Sequence, residues 1–423
     1  MQLFETCELR EERTFKTKAV RVVLALQHLI AMFGATVLVP MLTGLDLSVA
    51  LFTAGVGTLM FHICTKGKVP VFLGSSFAFI AVIQAVGLEY GDLRYAQGGM
   101  LVAGLIYVIT SFLVKKIGVD KIKKVLPAEV VGPMIMIIGL NLIPTAFNMA
   151  NKNIMLALIT LGTTLLIKQF GRGFTKQIAI LVGVFVGYIC ALAMGQVDVV
   201  EISKAPLLAI PNFTLPKFDI GAIMIIAPVV LAVFMEHVGD ITTNGTVVGK
   251  NFIEDPGLNR TLLGDGIATI TASLLGGPAN TTYGENTGVL AVTKNYDPSI
   301  LRITAVIAIL LSFIAKFGTA IRTIPEPVMG GISLMLFTMI TLVGAKTIKN
   351  EKVKFNAKNI ILMSTIIFVG LIAPNINPIL YKNFGFMIAI KVTNTVTISG
   401  LSLAAIVGVI LNLILNKVVK NKK

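Results

Sequence analysis

Charge is scarce in this sequence, and histidine and cysteine are scarcer still. Asp, Glu, Lys and Arg make up 13% of 423 residues against 55% hydrophobic, and the mean hydropathy is +0.87. That balance excludes an ordinary soluble domain. Apolar runs near the ~20 residues that span a bilayer recur from end to end, which leaves no room for a soluble domain longer than a loop. An intramembrane enzyme would need a nucleophile–base pair or a metal motif such as HExxH, and none of the three histidines has that spacing. Neither an enzyme nor a metal or organic cofactor is therefore expected. Cys7, Cys64 and Cys190 are scattered without metal-ligand spacing, and the latter two, inside apolar segments, read as small buried hydrophobes.

What charge there is carries topology. The net charge is +15, yet the basic residues are not clustered as a reading face, so no nucleic-acid partner is expected. The opening stretch MQLFETCELREERTFKTK is charged and has no compact apolar core with a cleavage site; no removable signal peptide is expected, and the first span serves as the insertion signal. Apolar runs mark fourteen candidate spans: 20–42, 47–65, 70–87, 97–115, 128–147, 153–170, 176–195, 219–241, 261–277, 279–294, 298–318, 324–345, 357–374 and 395–416. With a cytoplasmic N-terminus, the Lys/Arg-rich connections at Lys66/Lys68, Lys115–Lys124, Lys168–Lys176, Lys250/Arg260 and Lys346–Lys354, and the Lys417–Lys423 tail, all fall inside. Both termini are then cytoplasmic, in a multi-pass protein of the cytoplasmic (inner) membrane.

Two of these runs are not ordinary lipid-facing helices. The third begins PVFLGSSFAF and the tenth ANTTYGEN. They hold the same place in two sets of seven, and an odd repeat length gives the two halves opposite orientation. Interrupted segments at corresponding positions point to a transporter's midplane site.

Carboxylates stand at these places. Glu285 sits in NTTYGENTGVLAVTK, where a polar break persists in a membrane if it is buried in protein or lines a cavity. Glu236 lies deep in IIAPVVLAVFMEHVGDI, where a charge costs at least ~2.5–3.5 kcal/mol to insert; the plainer reading is a paired or solvated carboxylate near a helix end. Asp240, at i+4, shares its helical face, whereas His237 points off that face. Such buried acids suit proton coupling. His28 is either functional or a core histidine bonded to a backbone carbonyl. Half-helices beginning after Gly74-Ser75-Ser76 and Tyr283-Gly284 leave amides without partners, Phe77 and Gly284 being the expected donors. Together these groups describe a site for a small, neutral, planar ligand bearing both N–H and C=O. Phe77 and Tyr283 are placed to cover a ring face, with plain packing the alternative for Tyr283.

At these residues the chain resembles the nucleobase–ascorbate transporter (nucleobase:cation symporter type 2) family, and within it the bacterial uracil permeases. LQHLIAMFGATVLVP, KGKVPVFLGSSFAFI, EHVGD, DPGLNR, PANTTYGENTGVLAVTK and IPEPVMGGISLML follow in the family's order almost end to end. The resemblance implies an all-α polytopic fold, with fourteen segments in a 7+7 inverted repeat and short strands in segments 3 and 10. Residues 1–19 are then a cytoplasmic segment, 20–127 and 219–323 a core domain (segments 1–4 and 8–11), 128–218 and 324–416 a gate domain (segments 5–7 and 12–14), and 417–423 a basic tail.

The implied activity is proton-coupled uracil uptake by alternating access, in a homodimer, with the proton as coupling ion. Carried over, the substrate site falls on Glu236 and Glu285 and on the main chain at Phe77 and Gly284, with Tyr283 and Ser76 adjacent. Asp240, His28, Asn286, Asp265 and Phe337 are the expected coupling or neighbouring residues, Asp265 with a helix-end role as alternative. Purine-type members have Gln where this chain has Glu285, which favours uracil over xanthine. Two positions depart from the uracil-permease pattern: Asp240 stands where a His is expected, and Phe337 where an aromatic hydroxyl is expected. A xanthine or purine permease is the first alternative. An anion carrier of the related sulfate-transporter architecture is the second, and Glu285 argues against it by repelling anions. A channel suits two isolated carboxylates at broken helices less well than an occluding site does.

Overall fold

Helix forms wherever the apolar runs are free of internal breaks, and the computed structural model, which describes residues 2–118, 121, 124–391 and 397–421, is mostly helical. Among the described residues, eight helices are long and apolar enough to cross a membrane, or nine if Pro298–Ser312 and Ala315–Arg322 count as one span. Three shorter apolar helices, Phe77–Tyr90, Ile154–Phe170 and Ala179–Ala193, coincide with expected runs but fall below spanning length.

Breaks account for much of the difference from the fourteen expected runs. The run over 298–318 bends by 82°. There the Ser312 hydroxyl donates to the Ile309 carbonyl at 2.6 Å and competes with the helix ladder. The extended connection before residue 220 takes up the freed backbone: Ala209 N–H donates to Phe313 O and Ala315 N–H to Leu207 O. In the eighth run Pro228 sits in a 3-10 turn, Ala227–Val229, between the helices Ile220–Ile226 and Val230–Val248.

The third and tenth runs are each part strand and part helix. Strand β1, Leu73–Ser75, pairs antiparallel with β2, Asn280–Thr282, in the register Leu73↔Thr282, Gly74↔Thr281 and Ser75↔Asn280. A two-stranded ribbon has two open edges, which need partners away from water. Threonines on flanking helices supply them. Thr58 Oγ1 accepts from Leu73 N–H at 2.9 Å, while Thr269 Oγ1 donates to Asn280 O at 3.0 Å and accepts from Asn280 N–H at 3.3 Å. A second small ribbon, β3 (Ile390–Lys391) with β4 (Thr397–Ile398), precedes the last helix and had no sequence signal.

Glycines set the closest helix crossings. A Cβ on Gly139 would lie 2.4 Å from Phe337 O, and one on Gly344 2.5 Å from Gly132 O, so helices Ala128–Asn151 and Glu326–Asn350 meet backbone to backbone. The largest buried cluster runs from Leu38 and Phe79 through Met100 to Val130, Leu336 and Ile366.

Candidate functional site

Because β1 and β2 run antiparallel, the helices that follow them begin at opposite ends of the ribbon. The amides at the exits are already used: Ser76 N–H donates to Ala279 O at 2.9 Å and Tyr283 N–H to Phe72 O at 3.2 Å. The first turns beyond them, at Phe77 and Gly284, have no carbonyl one turn back. The donors open to a ligand therefore begin at these two residues, at the positive ends of two half-helices. A Cβ on Gly284 would meet nothing closer than Asp240 Oδ1, at 3.8 Å, so the backbone there is unobstructed.

Helix Val230–Val248 brings Glu236 and Asp240 to the same place, one turn apart, and Glu285 is the second residue of helix Gly284–Thr293. All three carboxylates, with Phe77 and Gly284, line one cavity of about 380 Å³. Asp240 Oδ2 accepts from Thr282 Oγ1 at 2.9 Å, which ties the ribbon to the carboxylate helix. Ile135, Ile180, Leu336, Met339, Ile340 and Val343 give the cavity an apolar lining, which Lys168 and Lys176 interrupt. Carboxylates that accept, amides that donate and apolar side chains suit a planar ligand with N–H and C=O on its rim. Among the described residues no three His, Cys, Asp or Glu side chains gather as a metal site.

Other candidates lie in a surrounding layer. Tyr283 borders the cavity, but its hydroxyl donates to Ser75 O at 2.9 Å and its ring lies where a Cβ on Gly74 would be, 2.3 Å from the ring edge. The ring thus clamps the ribbon. Ser76 is buried, and its hydroxyl has no partner among the described residues. Asn286 Nδ2 donates to the His28 carbonyl and lies equally close to His28 Nδ1, both at 3.2 Å, which pins the first helix to the Glu285 helix. Asp265 pairs with His237, Oδ2 to Nδ1 at 2.7 Å, and His237 Nε2 reaches Thr261 Oγ1 at 2.9 Å. Phe337 is fully buried outside the cavity lining, to which its helix contributes Leu336, Met339, Ile340 and Val343.

The Xan_ur_permease sequence model, described as a permease family, matches residues 20–379. A probable uracil permease of Pasteurella multocida is 43% identical over 402 residues, covering 93% of each chain. The uracil permease of Bacillus caldolyticus is 42% identical over 93% of this chain and 91% of its own. That of Escherichia coli K12 is 39% identical over 92% and 90%. The chain belongs to the nucleobase–ascorbate transporter family of permeases. Its relatives are integral membrane transporters rather than enzymes.

The fold of this permease is shared more widely. The transmembrane domain of a cyanobacterial bicarbonate transporter, BicA, superposes with a TM-score of 0.62 at 15% identity, covering 84% of this chain and 95% of that one. The murine anion transporter SLC26A9 gives 0.67 at 11% identity over 93% and 67%. At such identities the likeness is one of fold.

Several residues of this candidate site had been given another meaning in the sequence. Lys168 and Lys176, which mark a cytoplasmic connection there, line the same cavity as the carboxylates. Thr282 carried no signal beyond its place in the break. His237 is correctly off the Glu236 face, but the face it occupies meets Asp265 of helix Leu258–Leu275. The aspartate in that helix was the available signal, since a buried acid calls for a partner.

Proposed function

We propose that this permease takes up uracil across the cytoplasmic membrane in symport with a proton, by alternating access. The observation that carries the reading is the convergence of Glu236, Glu285, Phe77 and Gly284 on one cavity. Uracil alternates C=O and N–H around a flat ring. Its N–H groups are bound by the Glu236 and Glu285 carboxylates, its carbonyls by the Phe77 and Gly284 amides, and its face by the Phe77 ring. Close relatives named uracil permeases over more than nine-tenths of the chain support the substrate. Xanthine uptake has less support, because Glu285 accepts a ring N–H without offering the donors of an amide. The Glu285 carboxylate beside the amides of the half-helices disfavours an anion.

In this reading the chain crosses the membrane fourteen times in two inverted sets of seven, with both termini cytoplasmic. Segments within 20–127 and 219–323 form the moving core, and those within 128–218 and 324–416 the gate that forms the homodimer. The Ala128–Asn151 and Glu326–Asn350 crossing supports a rigid gate, and the β1–β2 ribbon supports a core that moves as one body. Asp240, bonded to Thr282, joins Glu236 in holding the coupled proton. His28, Asn286 and Asp265 act as positioning groups. The test is accumulation of labelled uracil in proteoliposomes under an inward proton gradient: it should collapse with a protonophore and in Glu236→Gln. Undiminished accumulation in either condition would refute the proton-coupled assignment.

A further inference from the structure

Two lysines share the cavity, and the binding scheme above uses neither. Lys168, in the last turn of helix Ile154–Phe170, is half-buried; Lys176, in the short turn Phe174–Gln177, is exposed. The same cavity is lined by Glu236, Asp240 and Glu285. The Lys168 ammonium abuts the Met339 sulfur, a weak acceptor. The turn that follows Lys168 packs on helix Gly284–Thr293, the helix that carries Glu285.

A symporter must reorient twice in each cycle, once loaded and once empty. When loaded, the proton and the substrate N–H groups satisfy the carboxylates. When empty, those carboxylates stand bare in an apolar surround, which is costly unless an opposite charge is at hand. A lysine is suited to that role because its charge is compact and its four-carbon stem swings.

We propose that Lys168 is the internal counter-ion of the empty carrier: after uracil and the proton leave, its ammonium pairs with Glu285 and permits the return step. The proposal rests on the uracil–proton reading. It adds that Lys168, on the gate, closes against Glu285, on the core, when the site is vacant. In the loaded carrier a uracil N–H takes its place on Glu285.

The test separates the two reorientations in proteoliposomes containing the full chain. Exchange of external labelled uracil for internal unlabelled uracil needs the loaded step alone, whereas net uptake into uracil-free vesicles also needs the empty return. Lys168→Gln should keep exchange near the wild-type rate and lower net uptake by at least about tenfold, the scale on which removal of one partner from a desolvated pair registers. Lys168→Arg should restore net uptake, and Lys204→Gln, at the exposed end of the short helix Val199–Lys204 and outside the cavity lining, should leave both rates unchanged. Equal loss of exchange and net uptake, or no loss of either, would overturn the proposal. Lys168→Met serves as a second test if the glutamine variant is not monodisperse. Wild-type protein that takes up no uracil would overturn the underlying reading as well, whereas active wild type with an unaltered net-to-exchange ratio in Lys168→Gln overturns this proposal alone.

Discussion

Replacing His237 with Leu isolates the buried contact on which the carboxylate helix rests. Both His237 and Asp265 are 0% exposed, their Nδ1 and Oδ2 atoms 2.7 Å apart, and Asp265 Oδ1 has no other partner among the described residues. The variant leaves the carboxylate buried with neither oxygen bonded, and Thr261 keeps its bond to Leu258 O. Removing one member of such a pair costs about 3–5 kcal/mol, which is about two to three and a half decades in the folded-to-unfolded ratio. Asp265→Leu should cost a similar amount by orphaning the imidazole. The double replacement puts apolar groups at both positions, so it should recover more than half of either loss. The assay is the temperature at which the detergent-solubilised protein loses its monodisperse gel-filtration peak, read as a ranking because unfolding there is irreversible. The order should be wild type first, the double variant next and both single variants last. Single variants as stable as wild type, or a double variant whose loss is the sum of the two, would refute the pairing.

Uracil at 100 times its Kd should stabilise the wild-type protein by about 2.7 kcal/mol, and Glu285→Gln should shrink that shift while enlarging the shift given by xanthine. Thermal shifts across a nucleobase panel read both effects, and an unchanged uracil-to-xanthine order would remove Glu285 as the specificity residue. Thr269→Val strips the edge of β2 of its partner, leaving Asn280 N–H and C=O unbonded at a cost of about 1–3 kcal/mol. Melting temperature and uracil binding should fall together in that variant, and loss of neither would show that the ribbon edge does not hold the site in shape.

The features legible in the sequence were those in which a residue contradicts its surroundings. Glu236 and Glu285 stood out because a carboxylate in an apolar run has a cost that something must offset. The breaks at β1 and β2 announced themselves as Gly-Ser-Ser and Asn-Thr-Thr where Leu or Ile belonged, whereas the strands themselves were expected from the family resemblance alone. Lys168 and Lys176 raised no such contradiction. A lysine at the end of a membrane helix is ordinary, and its long stem reaches headgroups or a cavity with equal ease. Neighbouring helices, which the local sequence does not encode, decide between the two. His237 makes the same point from the other side. A period of 3.6 residues states which side chains share a face and is silent on what packs against the opposite one; that face holds Asp265, 28 positions along the chain. Tyr283 is the converse case, since an aromatic at a helix break suggests a ring over a ligand. Its hydroxyl instead found the Ser75 carbonyl across the ribbon, and Gly74 left room for the ring. Local pattern therefore picked out the carboxylates of the candidate site by their penalties. The groups that relieve those penalties come from other segments, and they became visible when the chain was folded.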